Sequence, residues 1–383
     1  MPWTEKSVKD QREEFVMLAR AGESNMSELS RRFGISRPTA YKWLQRYDPQ
    51  TADRGLADRS SRPLSSPERS PQHIEQQVLA LRAQQRAWGG RKIAKVLERE
   101  QAVKLAPSTV QSILKRNGCV SEQASQAATP WHRFEHEAPN DLWQIDFKGH
   151  FPLVGGPRCH PLTVLDDHSR FNVALDALDR ESRPGVQAGL TRAFQHYGLP
   201  WRINADNGPP WGSSVRPAGH RALTGLEVWL IRLGIDLSHS RPHHPQTNGK
   251  DERFHRTLKE ELLAQHELLD LDDAQRTFDR WRHEYNHRRP HQALNFETPS
   301  QHYEGSKRPY PQTLPPIEYL TGDVVRKVDQ DGWVSFKGRP FRVSRALHGN
   351  PIALRQVAAE DGVWVLYFCQ TQIARIDWKK GPQ

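Results

Sequence analysis

The stretch LWQIDFKG, residues 142–149, places an acidic residue inside an apolar strand. Asp146 is flanked by Trp143, Ile145 and Phe147. Aspartate is a poor strand former and is costly to bury, so it needs a compensating partner. A divalent cation is one such partner, since hard oxygen ligands select Mg²⁺ or Mn²⁺. The stretch therefore predicts a strand that carries a functional carboxylate.

Apolar strands and helices follow this stretch along the chain. The pattern predicts strands at 161–166, 171–177, 201–205 and 235–239, and helices at 182–198, 221–233, 249–265 and 272–288. Three neighbouring strands followed by alternating helices and strands indicate a mixed sheet covered by helices. We therefore expect an α/β domain over residues 139–302.

The last part of the chain has a different pattern. Short strands fill residues 316–378, and turn signals such as Asp331-Gly332 and Asp361-Gly362 separate them. A region of this length and kind predicts a small all-β barrel.

The amino-terminal region predicts a helix-turn-helix domain over residues 1–48. Residues 8–20 suit a short helix, and 26–47 suit two more helices that meet at Gly34, with Ser36 capping the second. The second of these two helices would enter a DNA groove, although a basic hairpin used only for packing is the alternative. Its candidate DNA contacts are Arg37, Thr39, Tyr41, Lys42 and Arg46.

A second helical block is predicted over residues 73–120, after a Pro- and Ser-rich linker at 49–72 and before a polar connector at 121–138. We expect it to be helix-turn-helix or winged-helix-like, and a purely structural helical subdomain is the rival interpretation. Its candidate DNA contacts are Arg91, Lys92, Lys115 and Arg116.

The charge of the chain is concentrated in these helical regions. The 383 residues carry a formal net charge of +10 with a pI of about 9.6. Residues 1–120 contain 22 lysines and arginines against 13 aspartates and glutamates, a net charge of +9. A basic amino-terminal third indicates a module that binds a polyanion, although charge alone does not choose between DNA, RNA and an anionic surface.

Several classes of protein are disfavoured by composition. The uncharged stretches are shorter than a membrane span, and the first ten residues lack the apolar run of a secretory signal. Cys119, Cys159 and Cys369 are widely separated, which argues against a disulfide framework and against a cysteine-built zinc site. We expect a soluble intracellular protein that does not act at a membrane.

Five motifs occur in a fixed order and point to one family. They are WQIDFKG at 143–149, LTVLDDHSRF at 162–171, ADNGPPW at 205–211, RPHHPQTNGKDERFHRTLK at 241–259 and YNHRRPHQAL at 285–294. Together they resemble the catalytic core of bacterial insertion-sequence transposases with a DDE integrase core, in the retroviral-integrase superfamily. The resemblance covers about 140–300 most strongly and implies an RNase H-like fold.

The resemblance also implies the catalytic residues. Carried over motif by motif, the catalytic and metal-binding triad is Asp146, Asp206 and Glu252, with two Mg²⁺ ions that Mn²⁺ can replace. The intervals are 60 and 46 residues, and the longer second interval fits an insertion around 212–224. Asp251 is the neighbouring competitor for Glu252, but the family motif places Glu before Arg253, and adjacent helix residues point about 100° apart, so the two side chains do not face the same way. In the family, the pair Asp166 and Asp167 is not catalytic, which leaves a turn or hydrogen-bonding role.

The helix that bears Glu252 supplies further candidate DNA contacts. His255, Arg256 and Lys259 lie three, four and seven residues after Glu252 and so share its face, although a solvated charged face is the alternative. Asn248 and Lys250 lie in the loop leading in, which by resemblance contacts the transposon end. Arg288, Arg289 and His291 of the last motif could also contact DNA.

The resemblance implies a transposase that binds terminal inverted repeats, cleaves 3′ ends with water and joins the freed ends to target DNA. Such an enzyme must hold two ends at once, so we expect at least a dimer on DNA. Two alternatives stay open: a catalytically silent DNA-binding regulator, and a nuclease of the same fold that hydrolyses DNA without joining it.

Overall fold

A computed structural model describes residues 7–22, 25–51, 54–58, 69–120, 136–212, 223–239, 249–357 and 359–379. The chain divides into two compact units, Met1–Ser70 and Pro71–Gln383. Each unit is described by itself below.

The first unit contains three helices, α1 at Val8–Ala21, α2 at Met26–Arg32 and α3 at Arg37–Arg46. Gly34 turns the chain between α2 and α3 with a φ of 64°, a conformation that glycine adopts without strain. The Ser36 hydroxyl accepts a hydrogen bond from the backbone N–H of Thr39 at 3.4 Å and caps α3. Phe15 and Trp43 are buried in the core between the helices. The predicted helix-turn-helix is confirmed.

The described part of the predicted linker is folded against these helices. Leu56 is fully buried in the core of the first unit, and its carbonyl accepts a hydrogen bond from Arg12 at 2.9 Å. Gly55 has a φ of 72°, and a Cβ there would collide with the carbonyl oxygen of Arg46. The predicted boundary at residue 48 is therefore too early, because a single apolar residue in a polar stretch is enough to anchor the chain.

The second unit begins with a three-helix block. Helices α4 at Gln72–Gln84, α5 at Gly90–Gln101 and α6 at Pro107–Arg116 pack around buried Trp88, Ile93 and Leu114. Helix α6 begins at Pro107, in the first-turn position that proline favours. The outer face of α6 is exposed at Ser108, Gln111, Ser112 and Lys115.

A mixed sheet follows the helical block. Its strands are β1 at Leu142–Phe147, β2 at Phe151–Pro152, β3 at Arg158–Asp166, β4 at Asn172–Leu178, β5 at Arg202–Ala205 and β6 at Asp236–His239. The main order is β4-β3-β1-β5-β6, and the short β2 pairs with the start of β3. Strand β3 is antiparallel to β1 and β4, whereas β5 is parallel to β1 and to β6. The predicted mixed sheet is confirmed, and β1 lies at its centre.

Four helices cover this sheet, α7 at Arg183–Tyr197, α8 at Gly225–Arg232, α9 at Gly249–Leu258 and α10 at Leu271–His287. A π-helical segment, Lys259–Leu263, continues α9. Trp143, Phe194 and Trp229 belong to one apolar core, and Phe254 and Phe278 belong to a second core with α9 and α10. The helices therefore form two separate apolar cores where they pack against the sheet.

The core domain extends past the predicted end at residue 302. Tyr303 and Tyr310 pack against the core beneath α7. Arg308 donates hydrogen bonds to the carbonyls of Pro200, at 2.6 Å, and Gly234, at 2.8 Å. This segment has no regular secondary structure, so apolar periodicity could not assign it to the domain.

The carboxy-terminal region is all-β, as predicted. Its strands are β7 at Val324–Lys327, β8 at Trp333–Phe336, β9 at Arg339–Arg342, β10 at Pro351–Gln356, β11 at Val363–Phe368 and β12 at Thr371–Asp377. They form an antiparallel sheet in the order β12-β11-β10-β7 and a separate hairpin, β8-β9. The sheet and the hairpin share one apolar core, which also contains Leu223, Val228 and Ile231. The strand pattern predicted the elements, whereas their division into a sheet and a hairpin is a structural finding.

Across the described ranges, no helix combines the length and the apolar character needed to cross a membrane.

Candidate active site

Asp146 and Asp206 lie side by side at the carboxyl ends of neighbouring parallel strands. Gln144 of β1 is paired with Asn204 of β5, and each aspartate lies two residues further along its strand direction. Burial and the negative charge of Asp206 raise the pKa of Asp146 to about 6. The two carboxylates are therefore close enough to interact electrostatically.

The turn after β5 fixes the position of Asp206. Its Oδ1 accepts a hydrogen bond from the backbone N–H of Gly208 at 3.0 Å. Its carbonyl oxygen accepts a hydrogen bond from Nδ1 of His239 at 2.7 Å, and His239 lies directly across from Ala205 on β6. Trp211, which follows in the same motif, is buried against Phe147. The turn is thus fixed by a hydrogen bond to the Asp206 side chain, by a hydrogen bond to its carbonyl oxygen and by the packing of Trp211.

His255 points into the protein toward Asp146, which corrects its predicted role as a DNA contact. Its Nδ1 lies 3.8 Å from Oδ2 of Asp146, and its side chain is 13 % exposed. Burial, with a smaller contribution from the Lys148 charge, lowers the pKa of His255 to about 4, so the ring is neutral at pH 7. A neutral, buried imidazole is a poor phosphate ligand, and the boundary between the buried and exposed faces of α9 runs between residues 255 and 256.

Hydrogen-bond counting gives the tautomer of the His255 ring. The single hydroxyl hydrogen of Thr163 is donated to the carbonyl of Asp146 at 3.0 Å. The contact between Thr163 Oγ1 and His255 Nε2, at 3.0 Å, therefore has the ring nitrogen as donor. In the neutral ring, the Nδ1 lone pair then faces Asp146. Thr163 and His255 together hold the Asp146 strand, and the ring places an uncharged nitrogen beside the carboxylate.

Glu252 and Asp251 occupy opposite environments on α9. Glu252 is exposed to solvent, whereas Asp251 is only 5 % exposed. Burial and the charges of Asp146 and Asp167 raise the pKa of Asp251 well above its usual range. Among the described residues, no group of three or more His, Cys, Asp or Glu side chains is placed to hold one metal ion. The structure brings Asp146 and Asp206 together but does not add Glu252 to them.

Lys250 forms an internal ion pair, which differs from its predicted contact with the transposon end. Its Nζ lies 2.5 Å from Oδ2 of Asp167, whose Oδ1 accepts a hydrogen bond from Gln144 at 2.7 Å. The first turn of α9 is thereby attached to the turn after β3. Asp167, for which the sequence left a turn or hydrogen-bonding role, is the anchor of this contact.

Asp166 has the turn role expected for it. Its two carboxylate oxygens accept hydrogen bonds from the backbone N–H of Asn140, at 2.7 Å, and from the hydroxyl of Ser169, at 2.6 Å. Asp166 is fully buried, and its two bonds connect the loop between β3 and β4, at Ser169, to the segment before β1, at Asn140.

The predicted DNA contacts of the first unit are of two kinds: some side chains are exposed, and others form hydrogen bonds within the unit. Arg37, Tyr41 and Lys42 are exposed on α3. Arg46 lies over the Trp43 ring at 4.7 Å and donates to the carbonyl of Ala57 at 3.2 Å, so part of its hydrogen-bonding capacity is used internally. Thr39 is half-buried and bonds to the Ser36 hydroxyl.

The predicted contacts of the second block divide in the same way. Arg91 and Lys115 are exposed, whereas Arg116 pairs with Glu75 at 2.6 Å. Lys92 lies against the core domain, 3.5 Å from Glu261, and its predicted role as a DNA contact is not compatible with this position. Burial lowers the pKa of Lys92 to about 8.

Two further predicted contacts, Arg256 and Lys259, are exposed together with Glu252 along one face of α9, as their spacing predicted. Asn248, the remaining candidate contact, lies outside the described residues. The residues that sequence reasoning missed are Thr163 and His239. Both are polar residues on strands next to a candidate aspartate, and only the strand pairing shows that adjacency.

The donor set fits a divalent cation. Two carboxylates at neighbouring strand ends repel each other, as the raised pKa of Asp146 shows, and a bound cation would relieve this repulsion. Oxygen ligands of this kind suit Mg²⁺ and Mn²⁺.

Comparisons with protein families agree along most of the chain. Two profiles described as "Integrase core domain" match residues 136–245 and 233–299. A profile described as "IS481 family transposase, C-terminal domain" matches 323–383. A "Helix-turn-helix domain" matches 11–63, and a "Homeodomain-like domain" matches 39–114. The central α/β domain is therefore an integrase core with an RNase H-like fold, and the amino-terminal helices are of a DNA-binding type.

Curated relatives come from bacterial insertion elements. The chain is 30% identical over 246 residues to the insertion element IS407 uncharacterized 31.7 kDa protein of Burkholderia multivorans, covering 60% of this chain and 82% of that protein. It is 29% identical over 163 residues to the IS476 uncharacterized 39.2 kDa protein of Xanthomonas euvesicatoria, covering 43% of this chain and 44% of that protein.

Solved structures give weaker likenesses. A chain of the simian T-cell lymphotropic virus intasome in complex with PP2A regulatory subunit B56 gamma has 21% identity and a TM-score of 0.37, covering 72% of this chain and 90% of that chain. The HTLV-2 integrase catalytic core domain in complex with magnesium has 19% identity and a TM-score of 0.34, covering 44% of this chain and 100% of that chain. From the family profiles and the IS407 relative, the chain belongs to the bacterial insertion-sequence transposases of the retroviral-integrase superfamily.

Proposed function

We propose that this transposase binds the terminal inverted repeats of its insertion sequence, cleaves the 3′ ends and transfers them into target DNA. The observation that carries the proposal is the side-by-side placement of Asp146 and Asp206 at the carboxyl ends of β1 and β5. Their mutual repulsion favours a cation at the site where an integrase core carries out phosphodiester chemistry.

We assign Asp146, Asp206 and Glu252 as the catalytic and metal-binding residues. Glu252 is preferred to Asp251 because it is exposed to substrate and precedes Arg253 as the motif requires, whereas Asp251 is enclosed. Two bound Mg²⁺ ions, or Mn²⁺ in their place, would activate the attacking oxygen and stabilise the leaving oxygen.

The other residues of the site position these carboxylates. Thr163 holds the carbonyl of Asp146, and His239 holds the carbonyl of Asp206. Lys250 attaches the first turn of α9 to Asp167, which limits how far the residue-252 backbone can move. The protein thereby fixes two adjacent strand ends and one helix around the scissile phosphate.

The DNA contacts we propose are on exposed helix faces. Arg37, Tyr41 and Lys42 of α3 would read or hold one DNA segment, and Arg91 and Lys115 of the second block would hold another. Arg256 and Lys259, beside Glu252, would hold the backbone close to the cleaved bond, together with Asn248, which directly precedes α9 in sequence. Two ends must be held at once, so we propose that at least two copies of the chain assemble on DNA in the bacterial nucleoid.

The experiment is a cleavage assay with purified protein, Mg²⁺ and an end-labelled terminal repeat. We expect 3′-end cleavage that Asp146→Ala and Glu252→Gln abolish, while both variants still bind the repeat. Unchanged cleavage in Asp146→Ala would refute the site. If Asp251→Asn abolishes cleavage and Glu252→Gln does not, Asp251 is the third ligand.

A second assay separates the proposal from its alternatives. Pre-cleaved terminal ends are incubated with supercoiled target DNA, and joined products are measured. A silent regulator would bind the ends without cleaving or joining them, and a nuclease would cleave without joining.

A further inference from the structure

Charged side chains connect the second helical block to the core domain, and we name this contact the joint. Its inner part is Lys92, Glu261 and Arg289, and its outer part is Glu100 and Arg288. The residues of the block are 169 to 189 positions away in sequence from their partners in the core. The joint is therefore a tertiary contact between two domains and not a local feature of one helix.

The inner part is enclosed. The Glu261 side chain is 5 % exposed, and its two carboxylate oxygens share the single Nε–H of Arg289, each 2.9 Å from Nε. Lys92 of α5 approaches the same carboxylate to 3.5 Å. The Glu261 carboxylate is thus paired with Arg289 of the core domain and with Lys92 of the second block. A shift of α5 away from the core domain would separate Lys92 from Glu261.

The outer part adds a contact with defined geometry. Arg288 donates from Nε and Nη2 to the two oxygens of Glu100, at 2.7 and 2.8 Å. Arg99 donates in the opposite direction, to the carbonyl of Arg288 at 2.6 Å. Two parallel bonds between an arginine and a carboxylate fix orientation as well as distance, which an apolar contact would not do.

The joint lies between two elements with separate tasks. On the block side, α5 shares its apolar core with α6, whose outer face is exposed. On the core side, Glu261 lies in the π-helical segment that continues α9, the helix of Glu252. A continuous series of packed and ion-paired side chains therefore connects α6 to the helix that bears Glu252.

We propose that the joint sets the distance between the DNA held by the second block and the active site, and so selects the phosphodiester bond that is cleaved. Glu100, Arg288 and Glu261 are positioning residues in this inference. It rests on the proposed function, because it presumes that the second block holds the terminal repeat.

The position of cleavage is the readout, since a loss of stability alone would lower the amount of product without moving the cut. Wild-type protein is expected to cut an end-labelled repeat at one position. In Arg288→Glu and in Glu100→Arg, cutting should spread over neighbouring bonds, with the ratio of correct to neighbouring cuts falling roughly tenfold. The double variant Arg288→Glu with Glu100→Arg should restore the single position.

Matched controls make the same charge changes away from the joint. Arg280→Glu lies on an exposed position of α10, and Glu98→Arg lies on an exposed position of α5, where Glu98 pairs only within its own helix with Lys95. Both controls should keep one cut position, although Arg280→Glu will weaken DNA binding through its charge. The proposal is overturned if a joint variant loses activity while its cleavage position stays the same. It is also overturned if the double variant cuts at as many neighbouring bonds as the single variants do.

A distance measurement tests the joint without any activity. Spin labels at Ser112→Cys on α6 and Glu267→Cys on the core, with Cys119 and Cys369 changed to serine, report the spread of distances in DNA-free protein. We expect a narrow distribution that Arg288→Glu broadens and the double variant narrows again. If wild-type protein cleaves no repeat DNA, the proposed function fails, and this measurement still decides whether the joint is rigid. If the distance distribution in Arg288→Glu is the same as in the wild type, the proposal about the joint is overturned.

Discussion

The Nδ1 atom of His255 lies 3.8 Å from Oδ2 of Asp146, while Nε2 of the same ring donates to Thr163. This relationship predicts the effect of His255→Ala. The Asp146 carboxylate would lose its neighbouring ring and gain solvent, so we expect single-turnover cleavage to fall roughly ten- to a hundredfold, as for other residues that orient metal ligands. Affinity for repeat DNA should not change.

The neighbouring variant Arg256→Ala is the matched control. Arg256 is exposed on the other side of the same helix turn, so its loss should weaken DNA binding more than it slows cleavage of bound DNA. If His255→Ala weakens DNA binding as Arg256→Ala does, His255 contacts DNA and its inward position is not the functional one.

Asp146→Asn is expected to stabilise the metal-free protein while abolishing cleavage. Burial and Asp206 raise the pKa of Asp146 to about 6, so the ionised form is disfavoured in the folded state. The resulting cost is fully present above about pH 6, falls as the folded-state carboxyl takes up its proton, and disappears only below the ordinary pKa of 3.8, where the carboxyl is protonated in both states. Because the side chain is one-third exposed, we expect a gain of only about 1 kcal/mol at pH 7.5.

Thermal unfolding in chelator at pH 7.5 and pH 4.5 measures this difference. The gain should be clearly smaller at the lower pH than at the higher one. Adding Mn²⁺ should stabilise the wild type more than the variant. A variant less stable than the wild type at pH 7.5 would show that the two carboxylates do not repel each other.

The affinity for a metal ion should depend on pH over a range set by the pKa of Asp146. Binding requires the ionised carboxylate, so Mn²⁺ affinity should be level above pH 6 and fall by up to about tenfold per pH unit below it. Titration calorimetry between pH 5 and pH 8 measures this. Lys148→Met should move the midpoint upward, since the Lys148 charge lowers the pKa of Asp146. An affinity that is constant over the whole range contradicts the assignment.

Leu56→Ala should destabilise the first unit. Leu56 is fully buried in the helix-turn-helix core, and the loss of such a side chain costs about 2–5 kcal/mol. We expect weaker repeat binding at 37 °C that recovers on cooling, measured by fluorescence anisotropy. Gln50→Ala, an exposed change in the same segment, is the control. Equal effects of the two changes would show that residue 56 does not belong to this core.

The sequence predicted the elements that bear Asp146 and Asp206, because buried strands have a continuous apolar pattern that an acidic residue interrupts visibly. It also predicted that Glu252, Arg256 and Lys259 share a helix face. Helical spacing does not say where burial begins, so it grouped His255 with the exposed residues. The position of Lys92 could not be predicted, because its partner Glu261 is 169 residues away and a basic helix has the same composition whether it faces DNA or protein.

The helix α8 contributes to two apolar cores at once. Leu226, Trp229 and Leu230 pack beneath the central sheet, whereas Val228 and Ile231 pack into the carboxy-terminal strands. Neither core can lose its order without uncovering one side of this helix. The integrase core and the carboxy-terminal strands should therefore melt together in a calorimeter, as one cooperative block with a single heat-absorption peak.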